Sequence, residues 1–532
     1  MTAAQDHTEV EWQFAALDVR PVLRWLEGAR VPGYEIAASG TKELHDTYFD
    51  TPDWRVYRAR FTARVRRKPA GAELTLKSMA EAKDGVRSRR EITDTLPEAE
   101  NPNPLDATGP GGDALRLLAG RQPLRPLFTL DQVRRAFVLR DGEGELAEVA
   151  VDDTAIPVGL EDVPVRLARV EVELTDGTLE RAQRFVDVLV AACGLQPATT
   201  SKFEAALVAT GLRPMAGPPL GPTAVAPAMT TGEVAFAVLR KHFAAFLANE
   251  AGSRLGEDIE ALHDMRVGAR RLRAAMQTFR PYLPARIERY RFELGWVAGA
   301  LGDVRDLDVQ LERLEEWRAA GDDPQALDAI ERLLRERRER ARRRMLAVLN
   351  SRRYERLVER FAAVLQRGAP RSFAAGREPI LVAAPGLLQR RYRRVRKRGD
   401  AIGRSAPADA YHQLRIDCKK LRYALEFVGP VYGKPALEFS ARVTALQDLL
   451  GLHQDAYVAV DALWALARDN AKHLRPETLL AMGAISERYR QHAARLRREF
   501  PAVYGPLRGR EWQRLRRLLD GERERALARA GS

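Results

Sequence analysis

The sequence predicts an α+β chain in which a β-rich N-terminal domain is followed by an all-α domain. Three observations support this prediction. Before residue 213, short segments alternate polar and apolar residues with a period of two, which is typical of half-buried strands. Residues 213–230 are rich in Pro, Gly and Ala and hold one charge, which indicates a semi-rigid linker. From residue 231 onward, apolar residues recur with helical spacing.

The predicted domains follow from these changes of pattern. A chain of 532 residues is too long for a single hydrophobic core, so several domains are expected. We place the β-rich domain at 5–212, the linker at 213–230, the helical domain at 231–510 and a basic C-terminal helix or tail at 511–532.

Alternation assigns the strands of the first domain in chain order. The alternating segments are Glu9–Phe14, Arg64–Arg66, Glu73–Lys77 and Arg169–Leu174. A helix is predicted over Leu179–Cys193, where the apolar spacing becomes helical, and Gly194 is a suitable residue to end it.

An internal repeat with an offset of 149 residues organises the helical domain. The segment HDMRVGARRLR from His263 returns as HQLRIDCKKLR from His412, and residues 301–306 return at 450–455 in the same register. Such repetition indicates a duplicated fold unit. In each copy one histidine and three basic residues lie at i, i+3, i+7 and i+10, within roughly 80° of one helix face. These two cationic stripes are His263, Arg266, Arg270 and Arg273, and His412, Arg415, Lys419 and Arg422.

Charge is distributed unevenly between the two parts of the chain. Residues 1–230 hold 28 Lys and Arg against 34 Asp and Glu, a net charge of −6. Residues 231–532 hold 59 against 39, a net charge of +20, together with six of the eight histidines. A domain of such charge attracts polyanions, namely nucleic acid, an anionic membrane surface or polyphosphate.

The sequence predicts a cytoplasmic protein that does not span a membrane. No run approaches the roughly 18 uncharged apolar residues of a membrane helix, and the N-terminus lacks the pattern of a secretory signal. Two cysteines, Cys193 and Cys418, provide no disulfide framework, which agrees with a reducing compartment. The sequence carries no signal for an oligomeric state.

Charged residues on the alternating strands allow two interpretations. Glu9, Glu11 and Gln13 share one strand face, as do Glu171 and Glu173 on a later strand. In the first interpretation these faces belong to an open antiparallel sheet and point into water. In the second, the sheet closes into a barrel and they point inward. Inward carboxylates suit hard divalent cations, and basic side chains suit phosphate oxygens, which together match the needs of phosphoryl transfer.

The first domain resembles the CYTH family, the triphosphate tunnel fold. The segment from Glu9 to Gln13 is similar to the ExExK signature of that family. Further matching pieces occur in family order: Tyr48–Thr51, Arg64–Arg66, Leu74–Lys77, Arg134 or Arg135, Glu171–Glu173 and Ser201–Phe203. The resemblance covers residues 5–212. It implies an eight-stranded barrel around a hydrophilic tunnel, with metal-dependent hydrolysis or conversion of triphosphate compounds.

The CYTH resemblance also implies roles for individual residues. Metal ligands, for Mg²⁺ or Mn²⁺, would be Glu9, Glu11, Glu171, Glu173 and one aspartate, Asp152 or Asp153, of which we select Asp153. Triphosphate would be bound by Arg64, Arg66, Lys77, Arg134 and Lys202, with Arg89 and Arg90 as further candidates. Catalysis is assigned to Glu9, Glu11 and Lys77. One departure concerns catalysis more than binding: Gln13 replaces the lysine of the signature and supplies neither a cation nor a general base.

The two stripes of the helical domain allow three interpretations. A solvated helix face does not explain why the same residue types recur at the same phase in both copies. Metal binding by the histidines lacks partners at ligand spacing. Polyanion binding remains, and the stripes lack the recognition helix or interleaved aromatic residues expected for nucleic acid. Nucleic acid is therefore the less favoured partner, and a base-free phosphate chain is favoured.

The second domain resembles the CHAD family, a helical domain known as a polyphosphate-binding module. The match covers about residues 231–510 and includes both stripe segments, which start at His263 and His412. It implies two pseudo-symmetric four-helix bundles whose basic stripes line a cleft or pore. We therefore predict a protein that binds polyphosphate and hydrolyses inorganic triphosphate or a related compound. The alternative is a non-catalytic protein bound to polyphosphate granules.

Overall fold

The fold consists of two compact units, residues 1–217 and 218–532, in a computed structural model of the chain. The structure describes all residues except 1–4, 69–70, 81, 84, 98–99, 160–162, 176–177, 320–326, 404, 473 and 532. The division after Gly217 falls within the Pro/Gly/Ala-rich segment 213–230.

The first unit is a closed antiparallel β-barrel of eight strands. The strands are β1 (Gln5–Ala16), β2 (Glu35–Asp50), β3 (Phe61–Lys68), β4 (Gly71–Ser78), β5 (Val86–Leu96), β6 (Arg125–Asp141), β7 (Gly144–Ile156) and β8 (Val165–Leu174). Their order is β5-β4-β3-β2-β6-β7-β8-β1, and pairing of β1 with β5 closes the barrel. A two-residue strand, β9 (Gln196–Pro197), adds to the edge of β1. The α+β class and the eight-stranded barrel are thus confirmed.

Helices cover the apolar outer face of the barrel. They are α1 (Val19–Gly28), α2 (Arg55–Arg58), α3 (Pro110–Ala119), α4 (Leu179–Cys193) and α5 (Lys202–Ala209). On β1, Trp12 and Phe14 point outward and join a core with residues of α1 and α4. The predicted bounds of α4 are confirmed, because Gly194 ends the helix in the left-handed conformation, with φ 64°.

The second unit is helical throughout. Its helices are α6 (Thr231–Ala248), α7 (Glu250–Leu255), α8 (Ile259–Thr278), α9 (Glu288–Ala319), α10 (Asp328–Leu349), α11 (Arg352–Arg367), α12 (Ile380–Asp400), α13 (Ala408–Val428), α14 (Lys434–Asn470), α15 (Pro476–Tyr504) and α16 (Arg510–Gly531).

The 149-residue repeat is visible in the order of these helices. Adding the offset maps α6, α8, α9 and α10 onto α12, α13, α14 and α15. In both copies successive members pack on one another, as α6 on α8, α8 on α9 and α9 on α10 do in the first. The copies also meet directly, because α8 packs against α13.

The C-terminal helix belongs to the body of this unit. Residues 511–532 were predicted as a basic helix or tail. Helix α16 forms over Arg510–Gly531, and its Trp512, Leu515 and Leu519 are buried in the main core. Helix α16 packs against α12 and α14. The apolar side chains along one face of α16 explain why the helix is packed against the core. Its many arginines make this apolar face hard to see in the sequence.

None of the helices in the described parts of the chain is both long enough and apolar enough to cross a lipid bilayer.

Candidate functional site

The interior of the barrel is a polar cavity of about 470 Å³. Because side chains alternate along a strand, the residues between the outward apolar ones point into it. The charged residues that line it are Glu9, Arg60, Arg64, Arg66, Lys77, Arg87, Arg89, Glu91, Arg134, Glu171, Glu173, Lys202 and Glu204. The charged strand faces therefore point inward, and the interpretation as an open sheet is wrong.

Carboxylates gather on the neighbouring strands β1 and β8. The register places Glu11 opposite Glu173 and Gln13 opposite Glu171. Glu9, Glu171 and Glu173 line the cavity, whereas Glu11 lies deeper, with only 1% of its surface exposed. The structure thus brings together the four glutamates predicted as metal ligands on one wall, although Glu11 does not line the cavity itself.

The charges on this wall are unevenly compensated. Burial and the charge of Glu9 raise the pKa of Glu173 to about 7. Burial would also raise the pKa of Glu171, but Lys202 and Arg134 lower it well below its ordinary value. Positive charge therefore compensates Glu173 less than it compensates Glu171, and a cation bound beside Glu173 would stabilise its ionised form.

Basic residues face the carboxylates from several strands. Lys77 pairs with Glu9 and lies 3.2 Å from Glu91, measured from Nζ to Oε2. Arg89 pairs with Glu11. These contacts bring two predicted functional groups together, because Lys77 and Glu9 form a direct ion pair in the wall of the cavity.

A second basic cluster surrounds Glu171. Arg134 donates to Asp152 at 2.9 and 2.7 Å and to Glu171 at 2.7 Å, and Lys202 lies 2.9 Å from Glu171. Lys202 also pairs with Asp152. Arg134 is the cavity-lining member of the predicted pair, since Arg135 is absent from the lining.

Asp152, not Asp153, points toward the cavity. Asp152 is fully buried and holds Arg134 and Lys202, although it does not itself line the cavity, whereas Asp153 is partly exposed and lies 3.3 Å from Arg166. The choice of Asp153 as a metal ligand is corrected accordingly. Neighbouring residues of a strand face opposite sides, and pairing of β7 with β6 sets Asp152 opposite Arg134.

Asp46 is a site residue that the sequence analysis missed. It is 2% exposed and accepts two hydrogen bonds from Arg66, at 2.7 and 2.9 Å, while Arg64 lies 3.6 Å away. Burial opposes ionisation, yet Arg64 and Arg66 lower the pKa of Asp46. Its position two residues before Tyr48, on the same strand face, was the available signal.

Gln13 joins two of the carboxylates. Its Nε2 donates to Glu11 Oε1 at 2.9 Å and to Glu171 Oε1 at 3.0 Å. Lys202 contacts the same oxygen of Glu171, at 2.9 Å. The amide thus holds both carboxylates in position, and the positive charge that Gln13 lacks is present nearby on Lys202.

The donor set suits a hard divalent cation, since it consists of carboxylate oxygens. Among the described residues, no three His, Cys, Asp or Glu side chains already converge as a ligand group. The carboxylates are held by Lys77, Arg89, Arg134 and Lys202 instead. The residues fit a divalent cation chemically, provided that some of these ion pairs open when it binds.

In the helical unit the two cationic stripes lie on α8 and α13, which pack together. All eight stripe residues are partly buried. Arg270 donates from Nε to the Tyr423 hydroxyl at 2.8 Å, which links the first stripe to the helix of the second. Arg266 lies 3.3 Å from Asp306.

Lys419 lies where the stripes meet. The pKa of Lys419 is lowered to about 8, first by burial and then by the positive charges of Arg415, Arg270, Arg266 and Arg422. Two of these arginines belong to each copy. The stripes therefore form one cationic cluster whose repulsion an anion would relieve.

Two glycines related by the repeat make room for the first arginine of each stripe. A Cβ on Gly302 would lie 3.5 Å from Nε of Arg266, and one on Gly451 would lie 3.7 Å from Nε of Arg415. Each guanidinium thus lies against the backbone of the next helix, in the same way in both copies.

Comparisons with known proteins identify both units. The model of the CYTH domain matches residues 23–204, and the model of the CHAD domain matches residues 237–464. An uncharacterized protein of Mycobacterium tuberculosis is 26% identical over 539 residues, covering 93% of this chain and 96% of that protein.

Two further comparisons cover single units. An inorganic triphosphatase of Haemophilus influenzae is 30% identical over 146 residues, which are 27% of this chain and 40% of that protein. The crystal structure of the CHAD domain from the plant Ricinus communis is 26% identical, covers 53% of this chain and 94% of that chain, and has a TM-score of 0.46.

Proposed function

The chain belongs to the proteins that join a CYTH domain to a CHAD domain, and from this premise we propose a two-part function. The helical domain binds inorganic polyphosphate. The barrel hydrolyses inorganic triphosphate, or a related triphosphate compound, with a divalent cation such as Mg²⁺ or Mn²⁺.

The observation that carries this proposal is the division of charge inside the closed barrel. One wall holds Glu9, Glu171 and Glu173, and basic residues of other strands line the same cavity. A triphosphate with its cation presents both signs of charge, so it complements both the carboxylates and the basic residues that line the cavity. The 30% identity to an inorganic triphosphatase over 146 residues agrees with this substrate class.

The carboxylates and the basic residues that line the cavity would have different roles in the reaction. Glu9, Glu171 and Glu173 would hold the divalent cation, which when bound stabilises charge on phosphate oxygens and helps to activate water. Lys77, Arg64, Arg66, Arg134 and Lys202 would exchange carboxylate partners for phosphate oxygens. Closure of the barrel orients the phosphate chain and limits access of bulk water.

A phosphate-release assay tests the enzymatic half of the proposal. We expect purified protein to release phosphate from tripolyphosphate with Mg²⁺ or Mn²⁺, and to stop when EDTA is added. Thiamine triphosphate and ATP, assayed in parallel, identify the preferred compound. Absence of metal-dependent release from every one of these substrates would contradict the proposal.

A non-catalytic protein is the second candidate, and Gln13 is the observation that favours it. The amide occupies the position of the signature lysine and already binds Glu11 and Glu171. In that case both units hold phosphate chains, and the protein associates with polyphosphate granules. Binding of tripolyphosphate to the barrel without metal-dependent turnover would support this candidate.

Competition separates polyphosphate from nucleic acid as the ligand of the helical domain. We expect polyphosphate to displace labelled RNA or DNA at equal phosphate concentration, because the stripes offer cations without stacking residues. Failure of polyphosphate to displace either nucleic acid would count against the proposed ligand.

Affinity for polyphosphate should fall as pH rises through about 8. Lys419 is protonated below its pKa of about 8 and neutral above it, and a bound anion favours the protonated form. One proton is involved, so the loss is at most about tenfold per pH unit. Titration calorimetry from pH 7 to 9.5 measures the effect. The variant Lys419→Arg stays charged and should show a flatter profile; parallel profiles would refute this explanation.

A further inference from the structure

A third set of cationic side chains lines a pocket beside the stripe cluster, which is the cationic cluster formed by the two stripes of α8 and α13. It has a volume of about 730 Å³ and lies among α8, α12 and α13. Eight basic side chains line it against one carboxylate, Asp417. That carboxylate is already engaged, because Asp417 accepts from Arg398 at 2.7 Å and lies 3.5 Å from Lys420.

The arginines contributed by α12 are largely uncompensated. Arg390, Arg391 and Arg394 line this pocket. Within the described parts of the chain, Arg390 and Arg394 have no acidic partner, and Arg391 donates to the carbonyl oxygen of Leu387. Burial, followed by the charges of Arg390 and Arg394, lowers the pKa of Arg391 to about 10. Assembled cations without counter-charges favour binding of an anion.

The pocket is continuous with the stripe cluster through shared residues. Lys419 lies among Arg266, Arg270, Arg415 and Arg422, and it also lines the pocket together with Arg273. A chain of phosphates held at the stripes can therefore continue toward α12. The repeat does not supply this extension, since the segment of α6 equivalent to 390–394 is 241–245, with one basic residue, Lys241.

We propose that Arg390, Arg391 and Arg394 form a third segment of the polyanion site, which makes the helical domain selective for long phosphate chains. This inference rests on the proposed function. Long phosphate chains occupy both the stripe cluster and the pocket lined by Arg390, Arg391 and Arg394 of α12. A short chain such as tripolyphosphate, when it binds to the helical domain, is held at the stripes without reaching α12. The charges on α12 thus contribute to the affinity for long chains alone.

The test compares two double variants of equal charge. Arg390→Gln with Arg394→Gln removes two pocket cations, and Arg393→Gln with Lys397→Gln removes two exposed cations at the same spacing outside the pocket. Affinity is measured in EDTA, which prevents turnover, from the fluorescence anisotropy of labelled polyphosphate of about 100 units. The affinity of the helical domain for tripolyphosphate is taken from its displacement of this label, because tripolyphosphate also has a proposed site in the barrel. Because exposed side chains are replaced in both variants, both should fold, and circular dichroism verifies this.

We expect the pocket variant to bind the long chain about tenfold more weakly, with tripolyphosphate affinity unchanged. The negative slope of log affinity against log salt concentration should also become shallower, by about two, for the long chain. Equal losses in the two variants, or equal losses for both ligands, would overturn the inference. No binding of either phosphate by the unmodified chain would instead refute the proposed function.

Discussion

Replacing Glu9 with Gln will lower metal-dependent phosphate release from tripolyphosphate by about 100-fold. The substitution keeps the shape of the side chain but removes a charge from the wall that would hold the cation. Glu9 is 6% exposed, lines the cavity and pairs with Lys77. With the carboxylate of Glu9 gone, the ammonium group of Lys77 loses one of its two carboxylate partners and keeps Glu91, at 3.2 Å. The local balance of charge becomes more positive, which disfavours a divalent cation.

The control for this variant is Glu43→Gln, which removes the same charge from an exposed position on β2. We expect that variant to retain full activity. Raising the concentration of Mn²⁺ should recover part of the activity of Glu9→Gln, because weaker binding of the cation is the cause. Activity of Glu9→Gln equal to that of the unmodified chain would refute a catalytic role for Glu9 in the cavity of the barrel.

Replacing Lys419 with Glu will weaken polyphosphate binding by more than about 100-fold while leaving the helical unit folded. The substitution places a carboxylate among Arg266, Arg270, Arg415 and Arg422, which lie around Lys419. The new carboxylate would pair with these arginines and compete with phosphate for them. The same substitution relieves repulsion among cations, so the melting temperature should stay equal or rise.

These opposite effects distinguish a binding residue from a structural one, because a structural residue would lose stability and binding together. Lys434→Glu is the matched control, since it reverses a charge on a highly exposed side chain. Affinity by titration calorimetry and melting temperature by calorimetry are the two measurements. A lower melting temperature for Lys419→Glu, or unchanged affinity, would contradict the prediction.

Local periodicity made much of the site predictable. The stripes on α8 and α13 follow from spacing along a helix, which depends only on residues within three turns of one another. Likewise, alternation on β1 places Glu9, Glu11 and Gln13 on one face whatever the strand pairs with. A duplicated helical part with two cationic stripes, and a strand face that carries these carboxylates, were therefore predictable from the sequence pattern, whereas the closed barrel was predicted only through the resemblance to the CYTH family.

Two features of the barrel site could not be predicted from alternation, because they depend on strand register and on closure of the barrel: the inward face of β1 and the inward aspartate of β7. Both faces of β1 are buried, one against helices and one in the cavity, so alternation alone could not decide which face was the interior. The choice between Asp152 and Asp153 needed the pairing of β7 with β6, because a shift of one residue exchanges the two faces.

The sequence by itself determined that the chain joins a strand-built unit rich in paired carboxylates to a duplicated helical unit with two cationic stripes. Tertiary structure alone decided how the charges meet. Lys419 is surrounded by arginines from both copies only because α8 packs on α13, and Gln13 reaches Glu171 only because β1 pairs with β8. Electrostatic interactions act through space, so residues about 150 apart in sequence can shift one another's pKa.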